Sequence, residues 1–325
     1  MILFYVNRYL RITIPYALVL AFFIGIAPLL ITEPINAASW AIQESEMCKK
    51  WAWTHLLYVN NYFEQANYCL GHTWFLSTDM IFYFLSPLLI YPLWTSKFGL
   101  VQKIASHFWW LLLVCSSVGL SYSYSSDKEA WGKWEMENSL PEYKFSPWGH
   151  RNQCYLVGIM LGYILHVTKE KGVKIDNRLN ILIWQVVYLV AFALIYAPHD
   201  LTVKDNVVFF TFKNLAWGLC LAWVTFSCCR GTGGLVNDFL SWDLFLPISK
   251  ISFMTYFLHM SFNWYFFFMQ DYTLNFSMWL MTEIFVAQVA VCLFLGVIFC
   301  LASELPFNRI QKNLISLLIG STKQK

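Results

Sequence analysis

The stretch at 70–94, LGHTWFLSTDMIFYFLSPLLIYPLW, constrains this chain most, because it is apolar enough to cross a bilayer yet carries Asp79. A membrane-spanning helix needs about 20 predominantly apolar residues. A carboxylate inside such a helix is expensive, so it is expected to face a bundle interior or a wet cavity. Trp74 lies five residues before Asp79, and Tyr83 lies four after it. Residues four apart share a helix face, so the Tyr83 phenol is within reach of the carboxylate. This helix is therefore expected to line a site, with Trp74 and Tyr83 in its walls and Asp79 as a candidate catalytic group.

Composition agrees with a membrane protein. The 325 residues are 58% hydrophobic and only 13% charged, where ordinary soluble domains carry roughly 25% charged residues. Stretches long and apolar enough to span fall at about 12–32, 73–95, 104–122, 149–166, 179–197, 206–229, 250–270 and 277–303. The expected fold is an all-α, multi-pass transmembrane bundle of about eight spans. A net charge of +3 gives no ground for a nucleic-acid partner. No cleavable signal peptide is expected, because the first apolar run is long and lacks a small-residue cleavage site.

Charge placement gives the orientation. Arg8, Arg11, Lys169, Arg178, Arg230, Lys250 and Arg309 fall on one side of the eight expected crossings. The loops at 33–72 and 123–148 fall on the other and are rich in Glu and Asp. Basic loops stay in the cytoplasm, so both termini are expected there, in the endoplasmic reticulum or plasma membrane. Cys48 and Cys69 are the only cysteines in an outside loop, and an oxidising compartment favours a disulfide between them. Leu235, Val236, Phe239, Leu240 and Leu244 share one face at helical spacing. They form either a short helix in the membrane interface or a loop covering the bundle.

Few residues carry chemistry. Arg8 and Arg11, three apart before the first span, are positive-inside anchors or a guanidinium fork for an anionic ligand. The planar fork suits phosphates, and coenzyme A is one phosphate-bearing ligand. Arg151, at the start of the fourth expected span, either snorkels to the interface or holds a reacting oxyanion. Gly158 and Gly162 suit close helix packing. His259 lies nearly halfway across the seventh span, where an ionisable group suggests a site and an imidazole can act as general base. His72 is less persuasive, being placed where water reaches it. No metal-ligand spacing, glycine-rich phosphate loop or nucleophile elbow is present.

The residues NRYLRITIPYALV, with Arg8 and Arg11, resemble the R-x-x-R segment of the acyltransferase-3 membrane family. CLGHTWFLSTDMIFYFLSPLL, SPWGHRNQCYLVGIMLGYIL, ISKISFMTYFLHMSF and SELPF follow in the order of its animal, nose-resistant-to-fluoxetine-like branch. The resemblance covers residues 1–325. It implies transfer of an acyl group from acyl-CoA, as co-substrate, to a hydroxyl-bearing lipid or small-molecule acceptor in the bilayer. It places Arg8 and Arg11 near the CoA phosphates, and Asp79, Arg151 and His259 at the reaction. No bound cofactor or metal is implied. The family also has two further spans and a luminal domain ahead of R-x-x-R, the first of those spans carrying the histidine taken as base. The chain is therefore expected to be a partial domain. The alternatives are a non-enzymatic lipid or hydrophobic-compound transporter, or a pseudoenzyme partner of a full-length paralogue.

Overall fold

A computed structural model describes residues 2–31, 35–63, 69–94, 110, 111, 114–119, 122, 152–171, 176–196, 207–270, 277–311 and 313. Among these residues every regular element is helical. The long helices are α1 (Ile2–Ala21), α2 (Ile35–Leu56), α3 (Trp74–Trp94), α4 (Asn152–Lys171), α5 (Asn177–Ile195) and α6 (Val207–Cys229). A short α7 (Gly234–Leu240) precedes the long α8 (Phe245–Phe268) and α9 (Met278–Phe299). The first helix continues past Ala21 through a π-helical turn, Phe22–Ile26, and a last turn, Ala27–Leu30. A second π-helical turn, Cys300–Glu304, extends α9.

Four helices among the described residues are long and apolar enough to cross a membrane: Leu3–Leu30, Gly71–Tyr91, Asn177–Ile195 and Met278–Gln311. Counting Thr211–Cys229 with the bent-away Gly234–Leu240 gives up to five. Four or five of the eight expected spans are thus found as candidate spans among the described residues. The expected spans on α4 and α8 do fold as long helices but are more polar. The former carries Asn152, Gln153, His166 and Lys169, and the latter Lys250, His259 and Asn263. Most of 104–122 and all of 123–148 lie outside the described residues.

The chain divides into two compact units, Met1–Ser77 with Trp242–Lys325, and Thr78–Ser241. In the first unit α2 doubles back along α1. Ser45 donates to the Ile24 carbonyl (2.7 Å), Tyr16 meets His55 (2.7 Å), and Tyr9 donates to the Leu56 carbonyl (3.0 Å), so the two helices run antiparallel. Residues 35–56, read above as outside loop, therefore line the first span. Glu44, Glu46, Lys49 and Lys50 keep α2 too polar to read as a span, yet Ala37, Ala41, Ser45, Cys48 and His55 form a buried stripe at helical spacing. Helix α2 ends in a Schellman motif, with Val59 N–H to the Thr54 carbonyl and Tyr58 N–H to the His55 carbonyl. Its left-handed residue is Tyr58 (φ 59°) where glycine is usual. The Tyr58 side chain compensates by bonding Thr13 (2.8 Å) and packing edge-on against Tyr9. Gln311 donates to the Asn7 carbonyl (2.6 Å), placing the start of α1 and the segment after α9 at one end.

In the second unit α4 packs on α6. Gln153 donates to the Thr211 carbonyl (3.1 Å), Cys154 to the Asn214 carbonyl (3.1 Å), and Phe82 of α3 stacks on Tyr155 (5.1 Å). The close approach uses Gly218, where an added Cβ would lie 3.4 Å from the Cys154 Cα. Gly158 and Gly162, expected to mediate packing, have open space above them. Helix α7 turns 86° from α6 and leaves its apolar face uncovered, with Leu235 87% exposed. A short helix, not a covering loop, thus occupies this connection.

Candidate functional site

A buried polar network occupies the centre of the first unit. Its hub is Tyr16 of α1, fully buried, its ring stacked on Phe257 of α8 at 4.9 Å. The Tyr16 hydroxyl lies 2.7 Å from His55 Nδ1 and 2.8 Å from Thr73 Oγ1. Hydrogen counting assigns the donors. A carbonyl only accepts, so Thr73 spends its hydrogen on the Leu70 carbonyl (2.8 Å). Tyr16 must then donate to Thr73, and His55 Nδ1–H to Tyr16. A neutral His55 therefore carries its lone pair on Nε2.

Two residues along the chain from Leu70, His72 faces α8. Its Nε2–H donates to the Phe257 carbonyl (3.1 Å), and the Tyr256 hydroxyl donates to the His72 carbonyl (2.6 Å). The His72 ring lies 5.4 Å from that of His259, centre to centre. His259 Nδ1–H donates to the Tyr256 carbonyl (2.7 Å), which leaves Nε2 as the basic nitrogen. His72 Nδ1 is buried and has no hydrogen-bond partner. A pair of imidazoles, each oriented by a main-chain carbonyl, thus presents two lone pairs. That is the equipment of a general base.

The turn carrying His72 and Thr73 is held from several directions. Leu70 is left-handed (φ 47°), a strained conformation for a leucine. Its carbonyl takes the Thr73 N–H (2.9 Å) and hydroxyl, and its N–H goes to the carboxyl of Glu44 on α2. Next to it, Cys69 is disulfide-bonded to Cys48 of α2. Glu44 also accepts the Ser261 hydroxyl from α8. Burial pushes the Glu44 carboxyl up to about 8, although those two hydrogen bonds favour its charged form. On the far side of the network Asn60 is fully buried and accepts the Ser77 hydroxyl.

The expected site residues separate accordingly. His259 sits in this network and Trp74 borders it, its carbonyl accepting the Asn61 side-chain N–H (3.0 Å). Arg8 is half-buried and its charge acts on the Tyr58 phenol, which burial pushes up and Arg8 pulls down, while Arg11 is exposed. The two arginines therefore differ in surroundings. Asp79 and Tyr83 are half-buried residues of the second unit. Arg151 lies outside the described residues. His72 is half-buried and bonded to α8 instead of lying free in water, and His55, Tyr16, Thr73 and Glu44 were not among the expected site residues. For His55 and Glu44 the signal was the small-residue stripe of α2, which ends at His55.

The first unit, which contains candidate membrane spans, thus gathers His55, His72 and His259 with buried hydroxyls, and no group of His, Cys, Asp and Glu that could hold a metal ion occurs among the described residues. The chain belongs to the acyltransferase-3 family of membrane acyltransferases, whose acyltransferase-domain pattern matches residues 1–305. It is 28% identical over 337 aligned residues to the Caenorhabditis elegans protein "Nose resistant to fluoxetine protein 6", covering 97% of this chain and 40% of that protein. The chain thus spans about two fifths of that relative's length. No solved structure matches it.

Proposed function

We propose that this chain is an integral-membrane O-acyltransferase moving an acyl group from acyl-CoA to a hydroxyl acceptor, with the His72–His259 pair at the reaction. The observation that carries this reading is the fixed orientation of His259, whose Nδ1–H is tied to the Tyr256 carbonyl. In the proposed step His259 Nε2 takes the acceptor's hydroxyl proton while the oxygen attacks the thioester carbonyl. The tetrahedral oxyanion collapses, the C–S bond breaks, and the CoA thiolate leaves and is protonated by the imidazolium. His72 Nδ1 supplies a second acceptor that steers the incoming O–H. Arg8 and Arg11 hold the CoA phosphates. Asp79 and Arg151 keep their roles on resemblance, as cavity carboxylate and oxyanion cation, and Tyr83 keeps its role as wall on its helical spacing from Asp79.

Sidedness follows from charge. Arg8, Arg11 and Arg309 flank Asn7 and Gln311, which bond to each other, and basic ends stay in the cytoplasm. CoA, a cytoplasmic compound, then meets the arginines from that side, in the endoplasmic reticulum or plasma membrane. The test is transfer of labelled acyl chain from acyl-CoA to bilayer lipid by the purified full chain. His259→Asn should lower kcat at least 100-fold, and Arg8→Ala or Arg11→Ala should raise the KM for acyl-CoA. Transfer at the wild-type rate by His259→Asn would remove the proposal.

A further inference from the structure

Beyond the histidine pair, the contact of α2 with α8 holds two polar atoms that the network leaves unused. Glu44 (6% exposed) spends its carboxyl on the Leu70 N–H and Ser261 hydroxyl, but its Oε2 is buried with no partner. Tyr265 (9% exposed), one turn beyond Ser261 on α8, has its hydroxyl buried and unpartnered as well. The two are near enough that the Glu44 charge acts on the Tyr265 phenol. Trp40 of α2 closes one side, its ring edge-on to Tyr265 at 4.7 Å. Buried polar atoms without partners are rare in folded proteins, and here two of them, from different helices, lie along the α2–α8 contact that Trp40 and Tyr265 make.

We propose that Glu44 Oε2 and Tyr265 Oη form a binding site for one hydroxyl group, supplied by water or by an alcohol. The chemistry selects the ligand. The phenol has a hydrogen to give and the carboxylate oxygen needs one, so the bridging atom must accept and donate at once. A ketone cannot donate and an ammonium cannot accept, whereas a hydroxyl does both. If Glu44 is protonated, its O–H donates to the bound hydroxyl's oxygen, and that hydroxyl donates in turn to the phenol oxygen.

The placement gives the site a purpose. Leu70 is two residues before His72, and Ser261 is two residues after His259, so the carboxyl that binds the hydroxyl also joins the two elements carrying the imidazoles. An alcohol bound there is a second hydroxyl of a polyol acceptor, anchored while another reacts. This alcohol arm rests on the acyl-transfer reading, and the water arm does not.

The experiment uses the full chain in nanodiscs with monoolein, a diol on an acyl chain, and methyl oleate, which lacks hydroxyls. For alcohol occupancy, monoolein should raise the thermal midpoint of wild type by several degrees more than methyl oleate. Glu44→Gln and Tyr265→Phe should each weaken the apparent affinity for monoolein about tenfold. His259→Asn should retain the binding even where transfer is lost, which separates this site from the acyl-transfer proposal. For water occupancy, monoolein has no specific effect, but an O–H stretch sensitive to oxygen-18 water should disappear in both variants. A protein with neither a hydroxyl-specific stabilisation nor a water band depending on both side chains overturns the site.

Discussion

Replacing Glu44 by glutamine isolates the energetics of one buried carboxyl. The group ordinarily titrates at 4.5, and burial in the folded protein raises it to about 8. Between those values the folded state binds a proton that the unfolded chain has released. Stability must therefore fall as pH rises from about 4.5 to about 8, and this contribution levels off above 8. At about 1.4 kcal/mol per pH unit the full effect approaches about 5 kcal/mol. Glutamine keeps an oxygen for the Leu70 N–H and the Ser261 hydroxyl but cannot ionise. Its stability should thus match wild type near pH 4.5 and exceed it above pH 8. Unfolding midpoints of both proteins, measured in the same micelles from pH 4 to 9, give the difference directly. Histidines titrating over this range cancel in that difference. Parallel profiles for the two proteins would show that the Glu44 carboxyl is not held neutral by its surroundings, and the account of the α2–α8 contact would fail.

Other perturbations test separate parts of the first unit. Gly296→Ala places a methyl group against the Thr255 hydroxyl and within 3.3 Å of its backbone nitrogen, so about 1–3 kcal/mol of stability should be lost; adding Thr255→Ala should recover part of it in a double-mutant cycle. Tyr16→Phe removes the hydroxyl joining His55 to Thr73 and should cost about 1–3 kcal/mol, read as a lower unfolding midpoint. Cys48→Ser with Cys69→Ser opens a loop closed across 21 residues and should cost about 3 kcal/mol. Reducing agent should lower the wild-type midpoint but leave that variant unchanged.

Much of the helical layout could be read from residues, and the reason is hydropathy. The apolar run from Trp74 needs no partner to declare itself, and the expected 73–95 became Trp74–Trp94. Where a helix buries small and polar residues, that signal disappears. Helix α2 carries Glu46, Lys49 and Lys50 outward and Ala37, Ala41 and Cys48 inward, so its composition reads as loop although its periodicity reads as helix. The candidate site failed to show for the same reason. His55 and Glu44 belong to α2, and the partners of His72 lie on α8, 185 residues away from it at Phe257. His259 was legible because an ionisable side chain inside an apolar run is conspicuous wherever its partners lie.

The bond between Cys48 and Cys69 also makes the histidine turn a product of maturation. While the two thiols are free, only hydrogen bonds and packing hold the strained Leu70 peptide to α2, and His72 and Thr73 follow directly after it. Oxidation replaces a reversible attachment by a covalent one at the residue next to the strain. A newly made chain can therefore insert its helices and still have a loosely held imidazole pair. On the acyl-transfer function proposed above, competence then dates from the oxidation of these two thiols, and specific activity should lag behind synthesis by the time that oxidation takes.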